Sequence, residues 1–328
     1  MEISKYTKID LKLLRTDTVL GFDLYLRSHR RYILYRSHRI PFNERVRQNL
    51  LGHGVKSLYI LTRDESKYKS YIENNLTDIL TDPQIKMDVK RQVVYQNSLS
   101  IARDLIANPT STDTVKRSAR AVENIVELHI KDKEGLKKII YLMPQDYKIY
   151  THSANVATYS IALAISLGIF NKKEIFELGL GAFLHDIGKS RIPREILDKP
   201  GHLTPEEFEI VKRHVYHGWH IVKGNPLVPR RSILPISWHH ERLSGDGYPG
   251  GKRGDEIPIH GLITAIADAF DAMTTNRIYQ KALSTFKAIQ ILLADEKNYD
   301  RRILFKMIKL LGPDKTTGIQ QQRGEMVN

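Results

Sequence analysis

The chain has 328 residues, 41% hydrophobic and 27% charged, a globular composition long enough for one large domain or two ordinary ones. It contains no cysteine, which excludes disulfides, thiolate catalysis and cysteine-held zinc or iron–sulfur centres, so any metal has to be held by His and carboxylate. The formal net charge of +14 predicts an anionic partner. With no helix-turn-helix, finger or RNP-like pattern present, a phosphate ligand is expected rather than a nucleic acid polymer. No run of about 18 apolar residues occurs. The longest apolar stretch, residues 161–169, is interrupted by Ser166 and Gly168 and predicts a buried helix. Residues 1–5 lack an apolar signal-peptide core, so a cytoplasmic protein without membrane contact is expected.

In chain order, Phe22-Asp23-Leu24-Tyr25-Leu26 and Arg31-Tyr32-Ile33-Leu34-Tyr35 are short, aromatic-rich and partly alternating, as half-buried strands are, with the turn-like Ser28-His29-Arg30 between them. Asn43 is placed to cap a helix through Leu51, closed by Gly52 and Gly54. Leu58-Tyr59-Ile60-Leu61 predicts another strand, and Asp64 a cap for a helix reaching the 68–80 region. Residues 1–82 are therefore expected to form a small α/β domain with a regulatory or partner-binding role. After Pro83 the pattern turns helical. Residues 89–107 and 114–130, broken at Asn108-Pro109, predict a helical connector over 83–135. Helices then follow one another over 136–312, with Asn171, Thr204 and Ser284 at N-cap positions, and residues 313–328 form a polar tail.

The helical half carries His152, the pair His185-Asp186, His214, the pair His239-His240, and Asp268. A single His on a helix is more often a satisfied structural residue than a ligand. The contexts change that weighting. His185-Asp186 ends the apolar turn Ala182-Phe183-Leu184, His239-His240 follows Ile236-Ser237-Trp238, and Asp268 lies in the nearly apolar run Ile263 to Phe270. A carboxylate inside such a helix is costly unless paired or metal-bound, and several such intrusions in one domain point to a shared cation. Imidazoles and carboxylates suit a borderline divalent ion. Two such ions acidify water and clamp a phosphodiester, which removes the need for a side-chain nucleophile.

Phe183-Leu184-His185-Asp186-Ile187-Gly188-Lys189 resembles the defining step of the HD phosphohydrolase superfamily. His239-His240-Glu241 with Gly245-Asp246-Gly247-Tyr248-Pro249-Gly250-Gly251 resembles the second signature of the HD-GYP family of cyclic di-GMP phosphodiesterases. Ala267-Asp268-Ala269-Phe270-Asp271-Ala272-Met273-Thr274 and Arg277-Ile278-Tyr279 are similar to its third. The match runs from about residue 140 to 311. The resemblance implies an α+β protein, with a mostly α-helical HD-GYP domain behind the small α/β domain. It also implies hydrolysis of cyclic di-GMP to linear pGpG, GMP or both, by a metal-bound hydroxide at a binuclear site. On this likeness His152, His185, Asp186, His214, His239, His240 and Asp268 are metal ligands, with Asp186 the bridge. Asp186 and Lys189 are the catalytic pair, and Lys189, Gly247, Tyr248, Pro249, Asp271 and Arg277 are substrate contacts. The expected cofactor is two divalent ions, iron first, with manganese, nickel or zinc also compatible. Expected partners are cyclic di-GMP and GGDEF-type or other signalling proteins at the GYP loop, and the connector helices suggest pairing of chains. The first 82 residues also resemble, more weakly, the small module that often precedes HD-GYP domains.

Some departures from the family pattern carry an alternative. Lys148 stands where some members have a glutamate for a third metal, so two ions are expected. Ser244 replaces an aspartate before the glycine-rich loop, Gly261 an arginine, and Gln280 a basic residue. These weaken expected phosphate or loop contacts. They motivate a second reading, a cyclic di-GMP receptor or interaction scaffold without turnover, and a third in which another nucleotide is the substrate. His202, His217, His220 and His260, and His29, His38 and His53 in the first domain, match no ligand position and are expected to be structural or surface residues.

Overall fold

The computed structural model describes residues 5–29, 31–132, 138–139, 143, 148–276 and 281–312. The chain separates into two compact units, Met1–Asn97 and Ser98–Asn328. Among the described residues no helix is long and apolar enough to cross a membrane.

The first unit is built on a four-stranded antiparallel sheet in the order β1-β4-β2-β3, with β1 Tyr6–Asp10, β2 Leu24–Ser28, β3 Arg31–Arg36 and β4 Ser57–Leu61. Alternation decides its inner face: Ile9, Leu24, Leu58 and Ile60 are buried. Three strands match the apolar runs read from the sequence. The first, Tyr-Thr-Lys-Ile-Asp, escapes that reading because Ile9 is its one buried residue, and pairing with β4 rather than local pattern makes it a strand. Asn43 caps α1 (Glu44–Gly52) by accepting from the Val46 N–H at 3.0 Å.

The helix expected after Asp64 differs in two ways. Asp64 makes no cap hydrogen bond and instead pairs with Lys67 at 2.8 Å. The helix also breaks into α2 (Glu65–Asn74) and α3 (Leu76–Thr81). At the break the Asn75 side chain donates to the Tyr71 carbonyl at 2.8 Å, competing with the ladder as short amides do.

The expected connector divides. The boundary between units falls inside α4 (Met87–Ala107), while α5 (Thr112–Lys131) belongs to the helical unit. It does so because Val115, Val122, Ile125 and Val126 form a buried stripe facing that unit's other helices. The centre of the unit is α6 (Ile149–Leu167), buried almost all round and packed on α5, α7 (Lys172–Leu184), α12 (Ile259–Thr274) and α14 (Arg301–Leu311). Between α7 and α12 lie the short helices α8 (Arg194–Leu197), α9 (Pro205–Lys212), α10 (His214–Val222) and α11 (Ile233–Trp238), and α13 (Thr285–Ala294) precedes α14. Asn171, Thr204 and Ser284 cap α7, α9 and α13 through their side chains, as read from the sequence.

Candidate metal centre

Five segments converge in the helical unit. His152 lies in the first turn of α6, His185-Asp186 directly after α7, His214 at the start of α10, His239-His240 directly after α11, and Asp268 inside α12. Their ligand atoms form two groups, each with all atoms within 4.8 Å of one another: His152, His185 and Asp268, and Asp186, His214, His239 and His240. Asp186 stands between them. Its Oδ2 is 3.3 Å from His185 Nε2 and 3.6 Å from His152 Nε2, while its Oδ1 is 3.4 Å from His214 Nε2 and 3.9 Å from His239 Nε2. Asp268 Oδ1 is 3.0 Å from His152 Nε2, and its Oδ2 lies 4.0 Å from His240 Nδ1.

The ring orientations follow from the helix ends. The last carbonyls of a helix lack intrahelical donors. His185 Nδ1 donates to the Ala182 carbonyl at 2.7 Å, His214 Nδ1 to Val211 at 2.7 Å, and His239 Nδ1 to Pro235 at 2.9 Å, each carbonyl in a last helical turn. A carbonyl only accepts, so Nδ1 carries the hydrogen and Nε2 turns a lone pair into the cluster. His152 opens a helix and has no such carbonyl. Its Nδ1 donates to Asp271 Oδ2 at 2.7 Å, and Asn155 Nδ2 holds the other oxygen of Asp271 at 2.7 Å.

The result is a nest of inward-facing acceptors. His214 Nε2 and His239 Nε2 are 3.3 Å apart, and His185 Nε2 and Asp186 Oδ1 are fully buried with no hydrogen-bond partner among the described residues. Each buried polar group left so costs roughly 1–3 kcal/mol. Lone pairs facing one another at these distances are reconciled by a cation between them, and the donor set of imidazole and carboxylate suits a divalent ion. The residues present therefore fit a metal. Electrostatics point the same way. Burial pushes His214 down to about 4 despite the pull of Asp186, and drives His239 and His240 well below the usual imidazole range. Burial alone would raise Asp186, but Lys189, His185 and His214 hold it well below the carboxylate range. His152 does the same for Asp268. Neutral imidazoles and ionised carboxylates are the metal-binding protonation states.

Around the cluster, Lys189 donates to Asp186 Oδ2 at 2.6 Å from the 3-10 turn Ile187–Arg191. That turn packs so closely on α10 that a Cβ at Gly188 would lie 1.9 Å from the His214 carbonyl oxygen, which is why this step of the motif takes glycine. Tyr248 stacks on His240 (centroids 4.4 Å, 23° between planes), with Lys212 5.6 Å above its ring, and its N–H donates to the His240 carbonyl. Gly247 and Tyr248 thus lie against the second group, while Pro249 is exposed beside them.

Asp271, expected as a substrate contact, is instead buried behind His152, because α12 turns it one helical turn on from Asp268 to the same face. Arg277 and Gln280 lie outside the described residues. The sequence reading gave no role to Glu241. Its buried carboxylate accepts from the N–H groups of Gly250 at 2.7 Å and Lys252 at 2.9 Å, and so folds the glycine-rich loop back on itself. The signal available was a carboxylate directly behind His239-His240 at the end of an apolar helix.

Two departures from the family pattern are accommodated locally. Ser244 Oγ donates to Asn298 Oδ1 at 2.6 Å and accepts from the Asp246 N–H. A Cβ at Gly261 would meet Trp238 Cβ at 2.6 Å and its carbonyl oxygen at 3.2 Å, so the α11 end leaves no room for a larger residue. Lys148 is exposed ahead of α6. Of the other histidines, His260 is buried against Phe170, His38 pairs with Asp23, and His217 and His220 flank Tyr216 on α10.

The HD domain family matches residues 136–303. A cyclic di-GMP phosphodiesterase of Thermotoga maritima is 44% identical over 140 residues, covering 42% of this chain and 37% of that protein. The cyclic di-GMP phosphodiesterase PA4108 of Pseudomonas aeruginosa is 32% identical over 191 residues, covering 58% of this chain and 46% of that protein. The matched region thus spans less than half the length of either relative. Among solved structures, Bd1817, an HDG"Y"P protein from Bdellovibrio bacteriovorus, is similar with a TM-score of 0.65 and 25% identity, covering 93% of this chain and 99% of that one.

Proposed function

The chain belongs to the HD domain family, as a member of its HD-GYP group, and from that premise we propose that it is a metal-dependent phosphodiesterase opening cyclic di-GMP to linear pGpG, GMP or both. The observation that carries this reading is the placement of Asp186, one carboxylate oxygen toward each of two histidine groups. His152, His185 and Asp268 would hold one divalent ion, and His214, His239 and His240 the other, with Asp186 shared. Iron is the first expectation for both. Bound there, such ions supply Lewis acidity at the phosphodiester and make water a usable nucleophile near neutral pH.

The chain's own groups do the rest. Lys189 sets an ammonium beside the cluster, where it neutralises charge developing on phosphate oxygens. Tyr248, stacked on His240, gives a flat wall against which a guanine ring can pack. Glu241 fixes the loop that carries Tyr248. Asp271 holds the proton on His152 Nδ1, so that Nε2 remains a ligand. Ser244 and Gly261 are accommodated by Asn298 and Trp238; a cyclic di-GMP receptor or scaffold without turnover is the second reading, and the turnover assay separates the two.

Purified full-length chain should carry two ions and convert cyclic di-GMP to pGpG under reducing conditions, measured by metal analysis and chromatography of the products. Protein that holds two ions yet leaves cyclic di-GMP intact, in a buffer where a family enzyme cleaves it, would refute the activity while sparing the metal site. A panel including mixed cyclic dinucleotides separates substrate choice from loss of activity.

A further inference from the structure

Glu241 anchors the far end of the glycine-rich loop, through Gly250 and Lys252. The near end, where the chain turns into Tyr248, is held by the corner between α13 and α14, residues 295–300. Arg242 Nη1 donates to the carbonyls of His239 at 2.9 Å and Glu241 at 2.8 Å, and its guanidinium lies 5.1 Å from the centre of the Tyr299 ring. The Leu243 N–H donates to the Asn298 carbonyl at 3.3 Å. Beside these contacts the side chains of Asp295, Asn298 and Ser244 make a chain of hydrogen bonds that ends on the backbone of the loop.

Donor and acceptor chemistry fixes the direction of that chain. A carboxylate only accepts, so the atom that Asn298 turns to both oxygens of Asp295, at 2.9 and 3.0 Å, is Nδ2. Asn298 Oδ1 is left for Ser244. It too only accepts, so the Ser244 hydroxyl donates to it at 2.6 Å. A lone pair of Ser244 Oγ then takes the Asp246 N–H at 3.1 Å, a bond two residues on that closes a turn directly before Gly247-Tyr248. A carboxylate at position 244, as in the family pattern, would face the oxygen of an amide whose other end Asp295 has fixed. The serine and Asp295 therefore belong together.

We propose that Asp295, Asn298 and Ser244 are positioning residues for the substrate. Their relay sets the turn that presents Tyr248 against His240, and so tunes affinity for the cyclic dinucleotide without touching the metal chemistry. A loop ordered before binding leaves less entropy to lose on binding. The inference rests on the reading of the site as a cyclic di-GMP phosphodiesterase.

The test combines steady-state kinetics, ion content and amide hydrogen exchange of the full chain. Ser244→Ala and Asn298→Ala should each raise KM for cyclic di-GMP about fivefold, the size of one hydrogen bond, with kcat held and two ions retained. The double variant should be no worse than either single one, because the same chain is broken once. Ser244→Asp should be at least as impaired as Ser244→Ala. Asp295→Asn alone exchanges a charged acceptor for a neutral one and should raise KM about twofold. Ser244→Asp combined with Asp295→Asn should return KM to within about twofold of the native value, because Asn298 can then turn over, giving Nδ2 to the new carboxylate and Oδ1 to the new amide. Exchange of the Asp246 and Tyr248 amides should quicken in the impaired variants and slow again in the rescued one.

The proposal fails if Asp295→Asn does not rescue Ser244→Asp, or if exchange responds while KM does not. It fails equally if kcat or ion content falls in place of a rise in KM. A native chain without turnover would refute the activity and leave the relay testable, with the Kd for cyclic di-GMP from calorimetry standing in for KM and exchange read as before.

Discussion

Within the histidine–aspartate cluster, one ring is oriented by a different means from three others. His185, His214 and His239 take their ring orientation from carbonyls three or four residues back in the same or the preceding helix. His152 takes its orientation from Asp271, 119 residues away, which Asn155 in turn secures. A ligand fixed by its own helix end survives small movements of its neighbours. A ligand fixed by a distant carboxylate is ordered only when α6 and α12 are packed. The first group should therefore be the more fragile through its one distantly held member, His152, and the carboxylate behind that ring should make it the more basic donor.

The largest effect should come from the residue common to both halves. Asp186→Ala should remove both ions and lower hydrolysis on the order of 10³-fold, since metal-ion stabilisation supplies several kcal/mol. By contrast His152→Ala and His214→Ala should each remove one ion. Metal analysis that finds both ions gone from either single variant would show the halves to be one cooperative site.

Asp271→Asn is the direct test of the asymmetry. It should weaken metal affinity at the first position by roughly 10–100-fold and leave the second unchanged, a split readable in a metal titration. Equal loss at both positions would mean that Asp271 supports the fold and not His152.

Acid should weaken the metal-free protein. His214 has a folded-state value near 4 against an ordinary 6.5, so between those limits the unfolded chain binds more protons, and stability falls as pH falls through this window. From pH 6.5 to 5 His214 alone contributes a loss of about 2 kcal/mol, and His239 and His240 act in the same direction. Urea denaturation of chelator-treated protein should show the midpoint dropping across this range with an unchanged slope. A flat profile would mean that the imidazoles are not buried neutral.

The smallest effect should be at Glu241→Gln. It replaces a charged acceptor of two backbone N–H groups by a neutral one and should cost about 1–2 kcal/mol in loop order. The substrate KM should rise, with two ions still bound. Loss of an ion instead would place Glu241 in the metal site proper.

Much of this protein was legible in its order of residues. The helix caps at Asn43, Asn171, Thr204 and Ser284 announce themselves because a cap is a local bond, made within three residues. The pairs His185-Asp186 and His239-His240 are legible for the same reason: polar residues that end an apolar helix meet that helix's own last carbonyls. The break at Asn75 was hidden, because one amide there prevails over a pattern that would otherwise continue. So was β1, a strand by virtue of its pairing with β4.

Only the folded chain decides that Asp271 stands behind His152 rather than toward a ligand, that Glu241 gathers the glycine-rich loop, and that Asp186 faces two histidine groups at once. These relations join separate segments, from the loop that follows Glu241 to the 119 residues between His152 and Asp271, and no local periodicity encodes which polar group another segment will meet. The sequence determined which residue types were available for a cation; tertiary packing decided which of them face one another in the cluster and which orient the others.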